Sequence, residues 1–171
     1  GLVICNDISA RDLQLAEGQW HKAKSFRTFC PVGPWIYLLE PEDSARVMDL
    51  RLSLSVNGEP RQDASTGDMV YPPEETLTEL SGIMDLFPGD LLMTGTPSGV
   101  AAGRGMSKSA RKMGQLISLF VSEKTLARMI LKSGKTEGYL REGDVIRASI
   151  ASPDGAIHLG TQENRVVTQT P

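Results

Sequence analysis

Long apolar runs are missing from this chain. No stretch approaches the ~20 residues that a membrane-spanning helix requires, so a helical membrane anchor within these residues is excluded. Cysteine is scarce as well. Cys5 and Cys30 are the only two, too few for a disulfide framework; with no leader pattern in these residues, a reducing, cytoplasmic setting is the expectation. No one charge sign predominates: 18 basic residues face 21 acidic ones, a net charge of −3. That balance offers no overall attraction to nucleic acid or to a membrane surface. Histidine is limited to His21 and His158, and nothing pairs either with Cys30 as a nucleophile needs a base. There is no internal repeat.

What is present is ordinary for a globular protein. The 171 residues are 40% hydrophobic and 23% charged, enough to bury a real core in one domain. Leu50, Leu52, Leu54 and Val56 alternate with Arg51, Ser53 and Ser55, the period-2 pattern of a half-buried strand. Asn57-Gly58 supplies the residues that a hairpin turn with positive φ prefers, and Glu59 to Ser65 is the return arm. Pro72-Pro73-Glu74-Glu75 starts a helix whose buried stripe is expected to be Leu77, Leu80, Ile83 and Met84. Phe87-Pro88-Gly89-Asp90 ends it, and Leu91-Leu92-Met93 reads as a buried strand. Gly143-Asp144 opens a strand carrying Val145, Ala148 and Ile150; Ser152-Pro153-Asp154-Gly155 is a turn; Ile157-His158-Leu159 and Val166-Val167 complete a strand-rich tail. The fold class is mainly β with a few helices, an α+β domain. The opening run Leu2-Val3-Ile4-Cys5 reads as a strand already under way, and the expectation is a domain over 1–171 that is N-terminally incomplete.

Residues 103–137 form a basic insert. Arg104, Lys108, Arg111, Lys112, Lys124, Arg128, Lys132 and Lys135 face only Glu123 and Glu137, while Met113, Leu116, Ile117, Phe120, Leu126, Met129 and Ile130 recur at helical spacing. Two short amphipathic helices joined near Ser122 are expected, as a solvated hairpin, a basic lid over an anionic substrate, or a subunit surface. No aromatic residues interleave with the charges, so nucleic-acid stacking is not indicated.

The chemistry is concentrated near the start, in Asn6-Asp7-Ile8-Ser9-Ala10-Arg11-Asp12-Leu13-Gln14. If the chain turns from strand to helix at Asp7, then Asp7, Arg11 and Gln14 fall at i, i+4 and i+7 on one helical face. A carboxylate able to hold a metal, beside an Arg fork and an amide, suits a small oxo-acid bound through its own carboxylate. The plainer alternatives stay open: Asp7 as a helix cap, Asp12 as an ion-pair partner, Lys24 as a surface lysine, Cys30 as a packed residue and His21 as a bystander of Lys24.

These strings continue along the chain: Ala23-Lys24-Ser25-Phe26, Cys30-Pro31-Val32-Gly33-Pro34, Val56-Asn57-Gly58-Glu59, Pro88-Gly89-Asp90 and Thr94-Gly95-Thr96-Pro97-Ser98-Gly99-Val100. Together and in this order they resemble the catalytic domain of the fumarylacetoacetate hydrolase family. The resemblance implies a mixed β-roll and cleavage or isomerisation of a 2-oxo or 1,3-dioxo acid through a metal-stabilised enolate. It implies Asp7 as a metal ligand, Lys24 as the catalytic group, and Arg11, Gln14 and Thr96 as substrate contacts. The implied cofactor is Mg²⁺ or Mn²⁺, with Ca²⁺ as a further option, and the implied partners are a small 2-oxo acid and a second copy of the chain, with neither nucleic acid nor membrane.

Two departures qualify this. The family's Glu-x-Glu metal pair would lie upstream of the strand that leads to Asp7, and a His/Glu lid segment further upstream still, where this chain has no residues; a single carboxylate holds Mg²⁺ poorly. Arg27 stands where many relatives carry Asp, which adds positive charge and favours a more anionic substrate. The alternative function is a non-catalytic truncated homologue that serves oligomerisation.

Overall fold

The hairpin written into residues 50–65 forms one side of a four-stranded sheet. In the computed structural model, residues 1–17, 20–101 and 139–168 are described, apart from the side chains of 15–17. The elements run α1 (Arg11–Glu17), α2 (Trp20–Lys24), a 3₁₀ segment (Pro41–Asp49), β1 (Arg51–Val56), β2 (Glu59–Ser65), a short 3₁₀ turn (Thr66–Asp68), α3 (Pro73–Ser81), β3 (Val145–Ala151) and β4 (His158–Arg165). The four strands form one sheet in the order β2-β1-β3-β4. β1 runs antiparallel to both neighbours, from Arg51↔Ser65 to Val56↔Glu59 on one side and from Arg51↔Ala151 to Val56↔Ile146 on the other. The expected basic hairpin over 103–137 lies outside the described residues.

Local chemistry accounts for the turns. Asn57 and Gly58 adopt φ of 53° and 81°, the two positive values that a tight hairpin turn demands and that Asn and Gly tolerate. The Asn57 side chain also accepts a 2.9 Å hydrogen bond from the Val145 amide, fastening the turn to β3. The β1–β2 register shifts between Leu54 and Ser55, where Pro60, which has no N–H to give, sits on the edge strand. α3 begins at Pro73 as its Pro-Pro-Glu-Glu start predicts, with proline in the first turn.

The chain divides into two units. One comprises Gly1–Cys5, Gly33–Ser98 and Val145–Asn164; the other holds Asn6–Val32 together with residues 99–144 and 165–171. In the first unit Ile4, Leu50, Ala148, Ile157 and Leu159 form the buried cluster, with Leu2, Tyr37, Leu54 and Ile150 packed against it. Burying each large aliphatic side chain there contributes about 1.5–3 kcal/mol. Polar staples surround the cluster. Buried Thr66 donates to the Val47 carbonyl at 2.7 Å and accepts from the Leu50 amide at 2.9 Å. Asp154 accepts from Ser152, Ala156 and Arg46.

Three expectations are corrected. The opening run Leu2–Cys5 is not a continuous strand: Leu2 bridges antiparallel to Tyr37 and Cys5 is a second isolated bridge position, with Val3 and Ile4 unassigned between them. The stripe expected on α3 is not buried: the helix has no buried residue, and Leu77, Ile83 and Met84 are exposed. Leu91-Leu92-Met93 is likewise exposed and outside any strand. Apolar pattern marks a face that gains from being covered, and among the described residues nothing covers this one.

Candidate active site

The second unit holds four of the five sequence-singled residues. Asn6 donates to the Pro31 carbonyl at 3.2 Å, and the chain stays irregular through Ala10, with Ile8 bonded back to Asn6 at 2.9 Å. α1 starts only at Arg11, where the Gln14 amide closes the first turn on the Ala10 carbonyl at 3.0 Å. The expected helical face through Asp7, Arg11 and Gln14 is therefore corrected. Arg11 and Gln14 share the helix, and Asp7 precedes it, because residues 6–9 spend their backbone groups on other partners.

Asp7 is placed by a tertiary contact. The Ala10 amide donates to the Ala23 carbonyl at 2.9 Å, joining the start of α1 to the end of α2. Ala23 is buried, only 1% exposed. The residue that follows Ala23 is Lys24, whose ammonium donates to Asp7 Oδ2 across a sequence separation of 17. The two side chains are 25% and 24% exposed. On α1, which packs against α2, the Arg11 guanidinium donates to Gln14 Oε1, and Gln14 is buried.

The charge balance is informative. Asp7 is matched to Lys24, whereas Arg11 bonds to a neutral amide and has no carboxylate partner among the described residues. Exposed Arg27 follows in the turn after α2, in which Thr28 and Cys30 take φ of 71° and 59°. A fork held by a neutral buried amide, with surplus positive charge nearby, suits an anion that arrives from solution.

Thr96 lies in the first unit, exposed in the turn that follows Gly95 at φ 118°. That turn is tied down by Gln62 of β2, whose amide donates to the Pro97 carbonyl at 3.0 Å. Sequence reading passed over Gln62, since one glutamine in an edge strand carries no signal of its tertiary partner. It passed over Trp20 too, whose ring centroid lies 5.9 Å from Lys24 Nζ; the i, i+4 spacing within α2 was the available clue. The cysteines form no disulfide. His158 is structural, its Nδ1 accepting from the Gly160 amide at 3.0 Å. A cavity of about 370 Å³ lies on the outer sheet face of the first unit and is lined by Arg51, Arg147, Ser53, Ser149, Gln62 and Asp63, among others. Its arginines are matched to Asp63 and Glu163; the Arg51 hydrogen bond holds the Asp63 carboxyl below its usual range.

The described residues do not by themselves fit a divalent cation. Asp7 is the carboxylate at this site and is already bonded to Lys24. No group of three His, Cys, Asp or Glu able to hold a metal occurs among the described residues, whereas a hard cation takes six or more oxygen ligands.

Comparison with known proteins places this geometry in a family. The model of the fumarylacetoacetate hydrolase C-terminal domain matches residues 1–167. The chain is 42% identical over 105 residues to the mitochondrial oxaloacetate tautomerase Fahd2a of Rattus norvegicus, covering 61% of this chain and 33% of that protein. It is 38% identical over 124 residues to the 2,4-didehydro-3-deoxy-L-rhamnonate hydrolase of a Sphingomonas species, covering 72% and 43%. Among solved structures, the 2-hydroxyhepta-2,4-diene-1,7-dioate isomerase of Mycobacterium marinum superposes with a TM-score of 0.64 at 33% identity, covering 96% of this chain and 46% of that one. The chain thus spans less than half the length of these relatives. A family model matched over nearly the whole sequence, and a mainly β α+β fold shared with solved members, lead to one conclusion: the chain belongs to the fumarylacetoacetate hydrolase family.

Proposed function

We propose that the protein is an enzyme acting on a small, enolisable 2-oxo or 1,3-dioxo acid, and that Lys24 stabilises the enolate oxygen formed during turnover. The observation that carries this reading is the Lys24–Asp7 pair at the end of α2, with α1 packed against α2 and carrying an Arg11 that has no carboxylate partner among the described residues. The similar proteins are a tautomerase, a hydrolase and an isomerase by name. Their substrates share one chemical feature, a 2-oxo acid or its enol. Interconversion moves a proton at C3, sends the C–H electron pair into a C2–C3 double bond, and puts negative charge on the C2 oxygen. A cationic donor aimed at that oxygen stabilises the charge where it develops. Lys24 supplies it and can also pass the oxygen a proton.

The remaining roles follow from chemistry. Arg11 grips the substrate carboxylate through its planar fork, and buried Gln14 holds the fork in place. Asp7 orients the Lys24 ammonium. Thr96, in its own unit, offers a hydroxyl and turn amides to a carboxylate, a role supported by its Thr-Gly-Thr-Pro context. A divalent cation, Mg²⁺ or Mn²⁺, belongs to the reading for the full-length protein; Asp7 would contribute one oxygen, and the other ligands would come from beyond the described residues. A homodimer belongs to it as well, supported by exposed Leu77, Ile83, Met84 and Phe87. So does a cytoplasmic setting, and no described helix is long and apolar enough to cross a membrane.

The test is a spectrophotometric assay of the full-length protein with oxaloacetate and with acylpyruvates. Turnover of at least one of them is expected, and its loss in Lys24→Ala with the fold intact. An unchanged kcat in that variant would overturn the assignment.

A further inference from the structure

The geometry points to Trp20 as a positioning residue for Lys24, an inference that rests on the catalytic reading of Lys24 above. Trp20 opens α2 and Lys24 closes it, so the two stand i, i+4 on one helical face. The Lys24 ammonium lies 5.9 Å from the centroid of the Trp20 ring, within the range of a cation–π attraction. The same ammonium is bonded to Asp7 Oδ2. Two groups on different segments therefore hold one flexible side chain.

The two anchors differ in what they leave free. The Asp7 carboxylate takes a hydrogen bond from the ammonium, and at about a quarter exposure that pair is open to screening by water and salt. An aromatic face attracts the charge through its quadrupole without consuming a directed N–H. Trp20 thus steadies Nζ while the remaining N–H bonds stay available to a substrate oxygen. Burial does not explain the residue, because Trp20 is 62% exposed. The ammonium is the charge that this ring faces.

The test uses the full-length protein with oxaloacetate and compares Trp20→Phe with Trp20→Leu. Leu keeps apolar bulk and loses the aromatic face, whereas Phe keeps a weaker face. Trp20→Leu is expected to lower kcat about two- to fivefold, the size of an exposed cation–π attraction. Trp20→Phe is expected to recover part of that loss, with KM and the unfolding midpoint unchanged in both. Equal losses in the two variants, or none, overturn the inference while leaving the role of Lys24 standing. Lys24→Met separates the two ideas: if it retains wild-type kcat, the reading of Lys24 falls and this inference with it. Indole emission adds a readout independent of turnover. Lys24→Met is expected to change the emission of the wild-type protein and to leave it unchanged in a Trp20→Phe background. The same change in both backgrounds would show that the ammonium does not act on this ring.

Discussion

On the proposed reading, replacing Lys24 by Ala removes the charge that meets the developing enolate oxygen, so kcat is expected to fall by about 10²–10⁴-fold. The pair with Asp7 is only partly buried, and a pair of that kind contributes about 0–1 kcal/mol to stability. Circular dichroism and the unfolding midpoint are therefore expected to stay near wild type; a protein that unfolds instead would make Lys24 structural. On the same reading Arg11→Ala acts on binding: losing a charge-assisted carboxylate contact is expected to raise KM about 10- to 100-fold with a smaller effect on kcat, measured by steady-state kinetics. Asp154 is a residue of stability. Hydrogen bonds from the Ser152 hydroxyl, then the Ala156 amide, then Arg46 hold its pKa down to about 2. A lowered carboxylate pKa stabilises the fold above the unfolded value near 4 and loses that contribution as pH falls toward about 2. The unfolding midpoint of wild type should therefore drop more steeply than that of Asp154→Asn across this window; parallel curves would refute the linkage. The residue types at 7, 11, 14 and 24 were legible because chemistry-bearing strings flank them. Gln62 was not, since it acts through a partner fixed by the fold, and Trp20 was marked only by its i, i+4 spacing from Lys24.

Elements whose cause is local were read well. Strand β1, the Asn57-Gly58 turn, the return strand β2 and the proline start of α3 all occur where alternation, positive-φ residues and first-turn chemistry put them. Elements whose boundary depends on tertiary bonds were not. α1 starts at Arg11, not Asp7, because the Ala10 amide is taken by Ala23. The packing of β4 supplies a prediction at this scale. Gly160 sits at φ 81°, and a Cβ there would come within 2.6 Å of Pro34 Cγ and 2.8 Å of the Trp35 ring. Gly160→Ala combines backbone strain with overpacking, and is expected to cost about 2–4 kcal/mol and several degrees in unfolding midpoint. Thermal melting within a degree of wild type would contradict the close approach.

The whole molecule raises the question of the cation. One carboxylate at the candidate site, with no cluster of three ligating side chains among the described residues, predicts weak binding by this chain alone. Calorimetric titration of Mn²⁺ into the 171-residue chain is expected to show nothing tighter than roughly millimolar. Micromolar binding would mean that the ligand set is complete within it. The large exposed apolar surface from Val70 to Met93 belongs to the same scale. Its pattern was legible in the sequence, but whether it is covered is decided by what packs against it.

Sequence alone determined the family, the strand-and-turn framework and the kinds of side chain gathered near its start. Those follow from residue order, because propensity, turn chemistry and motif strings act over a few neighbouring positions. Only the tertiary structure decided that Asp7 meets Lys24 across 17 residues of sequence. Such contacts depend on where two helix ends are joined, here through one backbone hydrogen bond between Ala10 and Ala23, and no local pattern encodes that bond.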